Sequence, residues 1–219
     1  MHGMAGSDQP LNGGRTPTED CPPAAAASLA ARKAQLRRGV LAARAGISAA
    51  DLAAAGRALR DAIMELPEIG MAGTIAAYLS VGVEPDTRGL VYALWKRGSY
   101  VLLPVLRDDY DLDWASYEGP DALAPGRNGL LEPTEPRRGQ RAISSADLVL
   151  VPALAVDRRG NRLGRGGGCY DRALTRVGAA VPTIALLYDA ELVDEIPAAP
   201  HDQRVRAVAQ PGGGITRFA

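Results

Sequence analysis

The 219-residue chain balances 25 Lys and Arg against 25 Asp and Glu, for a formal net charge of zero. That leaves no electrostatic case for a nucleic-acid or anionic-membrane partner. Its two cysteines cannot build a zinc site or a disulfide framework, and no apolar run is long enough to span a bilayer, so a cytoplasmic protein is expected. The length suits one α/β domain with a full core. Aromatics make up 5 % of residues and alanine is abundant, a composition suited to tight helix packing rather than to nucleic-acid stacking surfaces.

Residues 1–27 are rich in Gly, Pro, Thr and Ala without periodicity and read as a disordered tail, so the folded domain is expected over residues 28–219. A first helix is predicted from about Ser28 to Arg44, with Leu29, Leu36 and Val40 on one stripe. Ser48-Ala-Ala-Asp51 has the form of a capping box and opens a second helix, whose apolar face is Leu52, Leu59, Ile63 and Leu66. The period then shortens. Thr74–Leu79 is a buried-strand signal, Thr87–Arg97 a helix and Tyr100–Leu106 a strand. Asp111–Glu118 alternates, as a more exposed strand would, and Pro120–Gly139 is a long loop. Leu148–Val156 is the most apolar strand, Cys169–Val177 a helix and Thr183–Tyr188 another strand. The Gly-rich C-terminal stretch reads as weakly structured. Apolar strands alternating with helices imply a mostly parallel sheet covered on both faces.

The strongest local feature is the run from Val151 to Asp171, in which Gly164, Gly166, Gly167 and Gly168 stand between a buried strand and a helix. Glycines let backbone N–H groups approach a phosphate, and the helix start adds partial positive charge. No Gly-Lys-Ser/Thr follows, so it is not a Walker loop, and Cys169 stands where a dinucleotide fingerprint has its third glycine. Asp171 lies in the first helical turn, where it suits either the helix dipole or Mg²⁺. Cys169, beside Arg165 at a helix start, is expected to favour the thiolate and to be protected by bound nucleotide. Lys33 and Arg37 are four residues apart on one face of the first helix, with Arg44 on the same edge: either a solvated basic face or a clamp for phosphates. Trp114 and Tyr117 suit core packing or stacking on a ligand ring.

These residues together resemble the 5-formyltetrahydrofolate cyclo-ligase (methenyltetrahydrofolate synthetase) family. Leu163-Gly-Arg-Gly-Gly-Gly-Cys-Tyr-Asp-Arg172 resembles its glycine-rich signature and Lys33-Ala-Gln-Leu-Arg37 its N-terminal basic element. Tyr78-Leu-Ser-Val-Gly-Val-Glu-Pro-Asp-Thr87 resembles its substrate segment, and Gly129-Leu-Leu-Glu-Pro133 and His201-Asp202 match in order. The resemblance covers roughly Arg32 to Ala209. It implies a single three-layer α/β domain like those of sugar-phosphate isomerases and CoA transferases. The activity it implies is Mg-ATP-dependent conversion of 5-formyltetrahydrofolate to 5,10-methenyltetrahydrofolate, with release of ADP and phosphate, by a monomer. By this resemblance Lys33, Arg37 and Arg165 would be catalytic. ATP would contact Lys33, Arg37, Leu163, Gly164, Arg165, Gly166, Gly167, Gly168, Cys169, Tyr170 and Asp171. Folate would meet Leu79, Glu84, Gly166, Gly167, Gly168, Cys169 and Tyr170, and Asp171 and Asp202 would hold Mg²⁺. The chain departs from the family at Cys169, where Tyr is usual, at Arg206, where an acidic residue is usual, and at Ala209-Gln210-Pro211. The competing readings are a sugar-phosphate or CoA-ester enzyme of the same fold and a catalytically silent folate- or nucleotide-binding paralogue.

Overall fold

The computed structural model describes residues 23–218. Helix α1 spans Pro23–Ala45, with proline at its first position, where the missing N–H costs nothing, followed by a run of alanines. It starts five residues before the expected Ser28, so residues 23–27 are helical; the rest of the expected tail, residues 1–22, lies outside the described residues. Helix α2 is Ala49–Met64, and the Ser48 hydroxyl caps it by accepting the Asp51 N–H. Then come α3 (Pro67–Met71), β1 (Thr74–Ala76), α4 (Arg88–Lys96), β2 (Tyr100–Leu106) and β3 (Leu112–Ser116). The expected long loop contains a small antiparallel pair, β4 (Leu123–Pro125) and β5 (Leu131–Pro133). The remaining elements are β6 (Leu148–Pro152), β7 (Ala155–Asp157), β8 (Arg162–Leu163), α5 (Cys169–Leu174), β9 (Thr183–Leu186), β10 (Leu192–Val193), β11 (Ala207–Gln210) and β12 (Gly214–Arg217).

Seven strands form the main sheet in the order β12-β11-β9-β6-β1-β2-β3. The five inner strands run parallel, and β12 and β3 pair antiparallel at the two edges. Strand alternation divides the core between two faces. Ile75, Val101, Leu103, Leu148, Leu150, Ile184 and Leu186 face α2 and α4. Their neighbours Ala76, Leu102, Val149, Val151, Ala185 and Val208 point the other way, into a cluster with Ile143, Ala173 and Leu174. This is the doubly covered, mostly parallel α/β sheet expected.

Three further segments differ from the sequence reading. All five residues of β3 are buried, where an exposed strand was expected. The 3₁₀ turn Gln140–Ser145 and α5 cover it, and fully buried Trp114 belongs to the core. The expected strand Leu148–Val156 is cut at Pro152, after which the chain steps into a second sheet of order β10-β7-β8; a proline cannot donate to the ladder. The C-terminal stretch is not weakly structured: β11 and β12 are a hairpin, with Gly214 at φ +64 at its turn and Asp189 accepting the Gly212 N–H.

The second sheet carries α1. Leu36, Val40 and Leu41 pack on a cluster of Leu154, Ala155, Leu163 and Ile196, so two residues of the expected stripe, joined by Leu41 rather than Leu29, seat the helix beside β8. The β7–β8 turn is tied by buried Asp157, whose carboxylate accepts N–H groups of Arg159, Asn161 and Ile196 and the Asn161 side chain. Burial pushes that carboxyl up, but these hydrogen bonds outweigh it and hold it below the usual carboxylate range. Gly160 closes the turn at φ +80, and a Cβ there would stand 2.3 Å from Val205 O. Gly160→Ala is therefore expected to lower stability by about 1–3 kcal/mol in denaturant unfolding; an unchanged midpoint would show that the turn yields freely.

Candidate active site

The glycine loop 164–168 connects β8 to α5, and the segment 77–87 follows β1. The segment 77–87 lies beyond the carboxyl end of parallel strand β1, where open α/β sheets leave a crevice, and the glycine loop reaches it from β8, an edge strand antiparallel to β7 in the second sheet. Gly166 and Gly168 have φ of +107 and +69, a region open to glycine at no steric cost. Three arginines line the loop closely. A Cβ would lie 2.7 Å from Arg162 Nη1 at Gly164, 3.4 Å from Arg37 Cζ at Gly166 and 2.8 Å from Arg172 Nη1 at Gly168. At Gly164 and Gly168 an added Cβ would displace an arginine tip, whereas at Gly166 the arginine is at ordinary contact distance and the positive φ is what favours glycine.

Two of the expected basic residues reach this place from α1. Arg37 Nε donates to Gly164 O at 2.8 Å. Lys33, one turn earlier and 9 % exposed, puts Nζ 2.5 Å from Asp202 Oδ2. They are not a solvated face. Arg44 does not join them: it is 1 % exposed and pairs with Glu191 through Nε at 2.6 Å and Nη2 at 2.8 Å. The third position on the basic edge is a buried fastening for the end of α1.

The two expected metal ligands are joined through the backbone of Gln203. Asp171 Oδ1 accepts Arg162 Nη2 at 2.8 Å and the Gln203 N–H at 3.2 Å, and Gln203 follows Asp202. Asp202 Oδ2 accepts the Ala199 N–H at 2.6 Å as well as Lys33. Burial pushes the Asp202 carboxyl up, but the Ala199 N–H and the Lys33 ammonium outweigh it and keep it below the usual range. Among the described residues no group of three or more His, Cys, Asp or Glu could cage a metal alone. Two carboxylates each bound through one oxygen fit an ion such as Mg²⁺, which takes one or two carboxylates and completes its shell with phosphate and water oxygens.

The segment after β1 closes against the loop. Glu84 Oε2 accepts the Val81 N–H at 3.0 Å, and its Oε1 accepts Arg165 Nε at 3.0 Å. Arg165, expected at the phosphates, is thus drawn toward the segment expected to hold folate. Half-buried Leu79 packs against the core under α2 and α4. Tyr170 lies under the loop beside the Arg162 guanidinium, which is 6.0 Å from its ring centroid. Trp114 and Tyr117 are buried in the core and offer no stacking face. Arg206 donates to Ala179 O, in the connection from α5 to β9, rather than to the loop.

Cys169 corrects an expectation. Burial pushes its thiol up, opposed by Arg172. With Arg165 held on Glu84, the thiolate is not favoured. Sequence reasoning also passed over Arg162 and Arg172, both of which touch the loop. Arg162 stood in the motif, but its partner Asp171 is nine residues away and becomes a neighbour only when β8 folds back beside α5.

A family model described as the 5-formyltetrahydrofolate cyclo-ligase family matches residues 29–211. The chain is 43 % identical over 188 residues to 5-formyltetrahydrofolate cyclo-ligase of Mycolicibacterium smegmatis, covering 84 % of this chain and 95 % of that protein. It is 34 % identical over 152 residues to 5-formyltetrahydrofolate cyclo-ligase of Escherichia coli K12, covering 68 % and 84 %. Its fold is similar to the NMR structure of Aquifex aeolicus 5,10-methenyltetrahydrofolate synthetase, with a TM-score of 0.74 at 26 % identity, over 85 % of this chain and 92 % of that one. The basic element of α1, the segment after β1 and Asp202 are the motifs that fold together around the glycine loop, Gly129–Pro133 lies instead beside β4 and β2, and the chain belongs to the 5-formyltetrahydrofolate cyclo-ligase family.

Proposed function

We propose that the protein closes 5-formyltetrahydrofolate to 5,10-methenyltetrahydrofolate with consumption of ATP. The single observation that carries this reading is the delivery of Lys33 and Arg37 from α1 to the glycine loop and to Asp202. A phosphate cradle alone would suit a sugar-phosphate or CoA-ester enzyme of the same fold; a cradle clamped from a distant basic helix suits a nucleoside triphosphate.

The formamide oxygen is a poor leaving group, so the reaction activates it first. The formyl oxygen attacks the γ-phosphorus and ADP leaves. The N10 amine then attacks the activated carbon, and phosphate departs with the former formyl oxygen. Such phosphoryl transfer needs mainly positioning and charge stabilisation. Arg37 and Lys33 hold phosphate oxygens, and the N–H groups of residues 164–168 complete the cradle. Cys169 and Tyr170 continue it into α5. The Arg165–Glu84 pair closes the loop over the folate, and Leu79 supplies apolar contact. Asp171 and Asp202 would hold Mg²⁺, which neutralises phosphate charge when bound. Among the described residues no helix is long and apolar enough to cross a membrane; we propose a cytoplasmic monomer.

Mixing protein, Mg-ATP and 5-formyltetrahydrofolate is expected to produce methenyl absorbance with one ADP per product. ADP release without folate would reveal a simple ATPase instead. Neither product would favour the silent paralogue.

A further inference from the structure

A third arginine grips the glycine loop from α5 itself. Arg172 Nη2 donates to Gly167 O at 3.1 Å and to Tyr110 O at 2.6 Å, so one nitrogen joins the loop to the β2–β3 turn. That turn is built to meet it. Among the described residues Tyr110 is the only non-glycine with a left-handed φ, +60, a conformation with a steric cost for any side chain. The next residue, Asp111, accepts both Arg176 guanidinium nitrogens, at 2.5 and 3.0 Å. Arg172 and Arg176, four residues apart, thus dock the edge hairpin against the helix that follows the loop.

The consequence for the loop follows from peptide geometry. In a trans peptide C=O and N–H point to opposite sides, so fixing the Gly167 carbonyl fixes the direction of the Gly168 N–H. Gly168 adopts φ +69 with Arg172 Nη1 packed against it. We propose that Arg172, seated on the Tyr110 carbonyl, is a positioning residue that holds the Gly167–Gly168 peptide in the orientation that presents the Gly168 N–H to nucleotide phosphate. This rests on the nucleotide reading above, but the clasp itself has an independent reporter. The Cys169 sulfur lies 3.8 Å from the same Gly167 oxygen, so its accessibility follows the state of the clasp.

The test uses the full chain with Cys21→Ser, which leaves Cys169 as its sole thiol, and compares Arg172→Met and Arg172→Lys. Arg172→Met is expected to raise the KM for ATP about tenfold, the loss of roughly one charge-assisted hydrogen bond. The KM for 5-formyltetrahydrofolate should rise much less than that for ATP, because Leu79 and Glu84, on the segment after β1, lie outside the clasp. Alkylation of Cys169 by iodoacetamide should accelerate several-fold when rates are compared per thiolate from their pH profiles, since Arg172 also opposes the burial that raises this thiol. Arg172→Lys keeps the charge but not the planar fork, and should show the same two effects in weaker form. Unchanged ATP KM and unchanged labelling in Arg172→Met would overturn the proposal. So would a lysine variant with normal ATP KM and fast labelling, since charge alone would then suffice. Should Arg172→Met fail to fold, the lysine variant together with Asp111→Asn decides: loosening the turn must speed labelling, and slow labelling in both refutes the clasp. A parent protein that does not use ATP would sink the functional reading, while labelling would still report whether Arg172 holds the loop.

Discussion

Replacing Arg37 with alanine is expected to raise the KM for ATP by one to two orders of magnitude while leaving reduced-folate binding almost unchanged. Arg37 is held by its Nε on Gly164 O, and its guanidinium carbon lies 3.4 Å from where a Cβ on Gly166 would stand. A charge-assisted contact to phosphate contributes about 1.5–3 kcal/mol, which is roughly ten- to over a hundredfold in affinity. The same change removes a strut between α1 and the loop, so kcat should fall as well. Lys33→Ala should act on ATP in the same direction, with an added effect at Asp202, whose depressed carboxyl would move back toward its ordinary range once the ammonium is gone. Steady-state kinetics with each substrate varied in turn separates the two. An Arg37→Ala enzyme with an unaltered ATP KM would return the residue to a purely structural role at Gly164.

What could be read from the sequence follows the range of the interactions. Four of the five parallel strands, β1, β2, β6 and β9, were legible because each is a short apolar run, and β2 matches its predicted span, Tyr100–Leu106. The Ser48 cap was legible because its partner is three residues away. β3 was misjudged because alternation reports polarity, and Asp113 and Ser116 are polar yet buried. A strand whose carboxylate accepts its own neighbour's N–H, as Asp113 does for Trp114, hides its charge locally and leaves no trace in the pattern. The C-terminal hairpin was missed because its glycines were taken for looseness, whereas Gly214 is a turn residue with a left-handed φ.

For the site, the motifs identified the right segments but not the pairings between them. Lys33 and Arg37 were legible as one face of a helix; that Lys33 meets Asp202 joins positions 169 apart. Arg44 shared that face in the helical wheel, but its direction is set by Glu191, 147 positions away, so spacing alone assigned it wrongly. Arg165 was placed by its neighbours in the loop, whereas its side chain follows Glu84 across the crevice. Cys169 was read as a helix-start thiol; α5 has only six residues, and burial outweighs what its start contributes.

The Arg44–Glu191 pair gives the largest expected loss of stability. Arg44 is 1 % exposed, donates to both Glu191 oxygens and to Ala153 O, and lies over the Tyr188 ring at 5.4 Å. Its Nη1 has no hydrogen-bond partner among the described residues. Burial works against the guanidinium charge, but the hydrogen bond and charge of Glu191 outweigh it and hold Arg44 above its usual value. Glu191→Ala strands that charge in the interior and also frees the Tyr188 N–H, which the carboxylate accepts at 2.9 Å. Breaking a buried pair by removing one partner typically costs about 3–5 kcal/mol, more than removing both, because it leaves an uncompensated charge. Urea unfolding of Glu191→Ala should show a loss in that range, and Arg44→Met with Glu191→Leu should recover much of it. The sign of that recovery decides between two roles for the pair. If the double variant is as unstable as the single one, the carboxylate acts chiefly as the cap of the Asp189–Glu191 turn. If stability returns but the KM for ATP stays high, the pair matters for where it holds α1, and with it Lys33 and Arg37, rather than for stability.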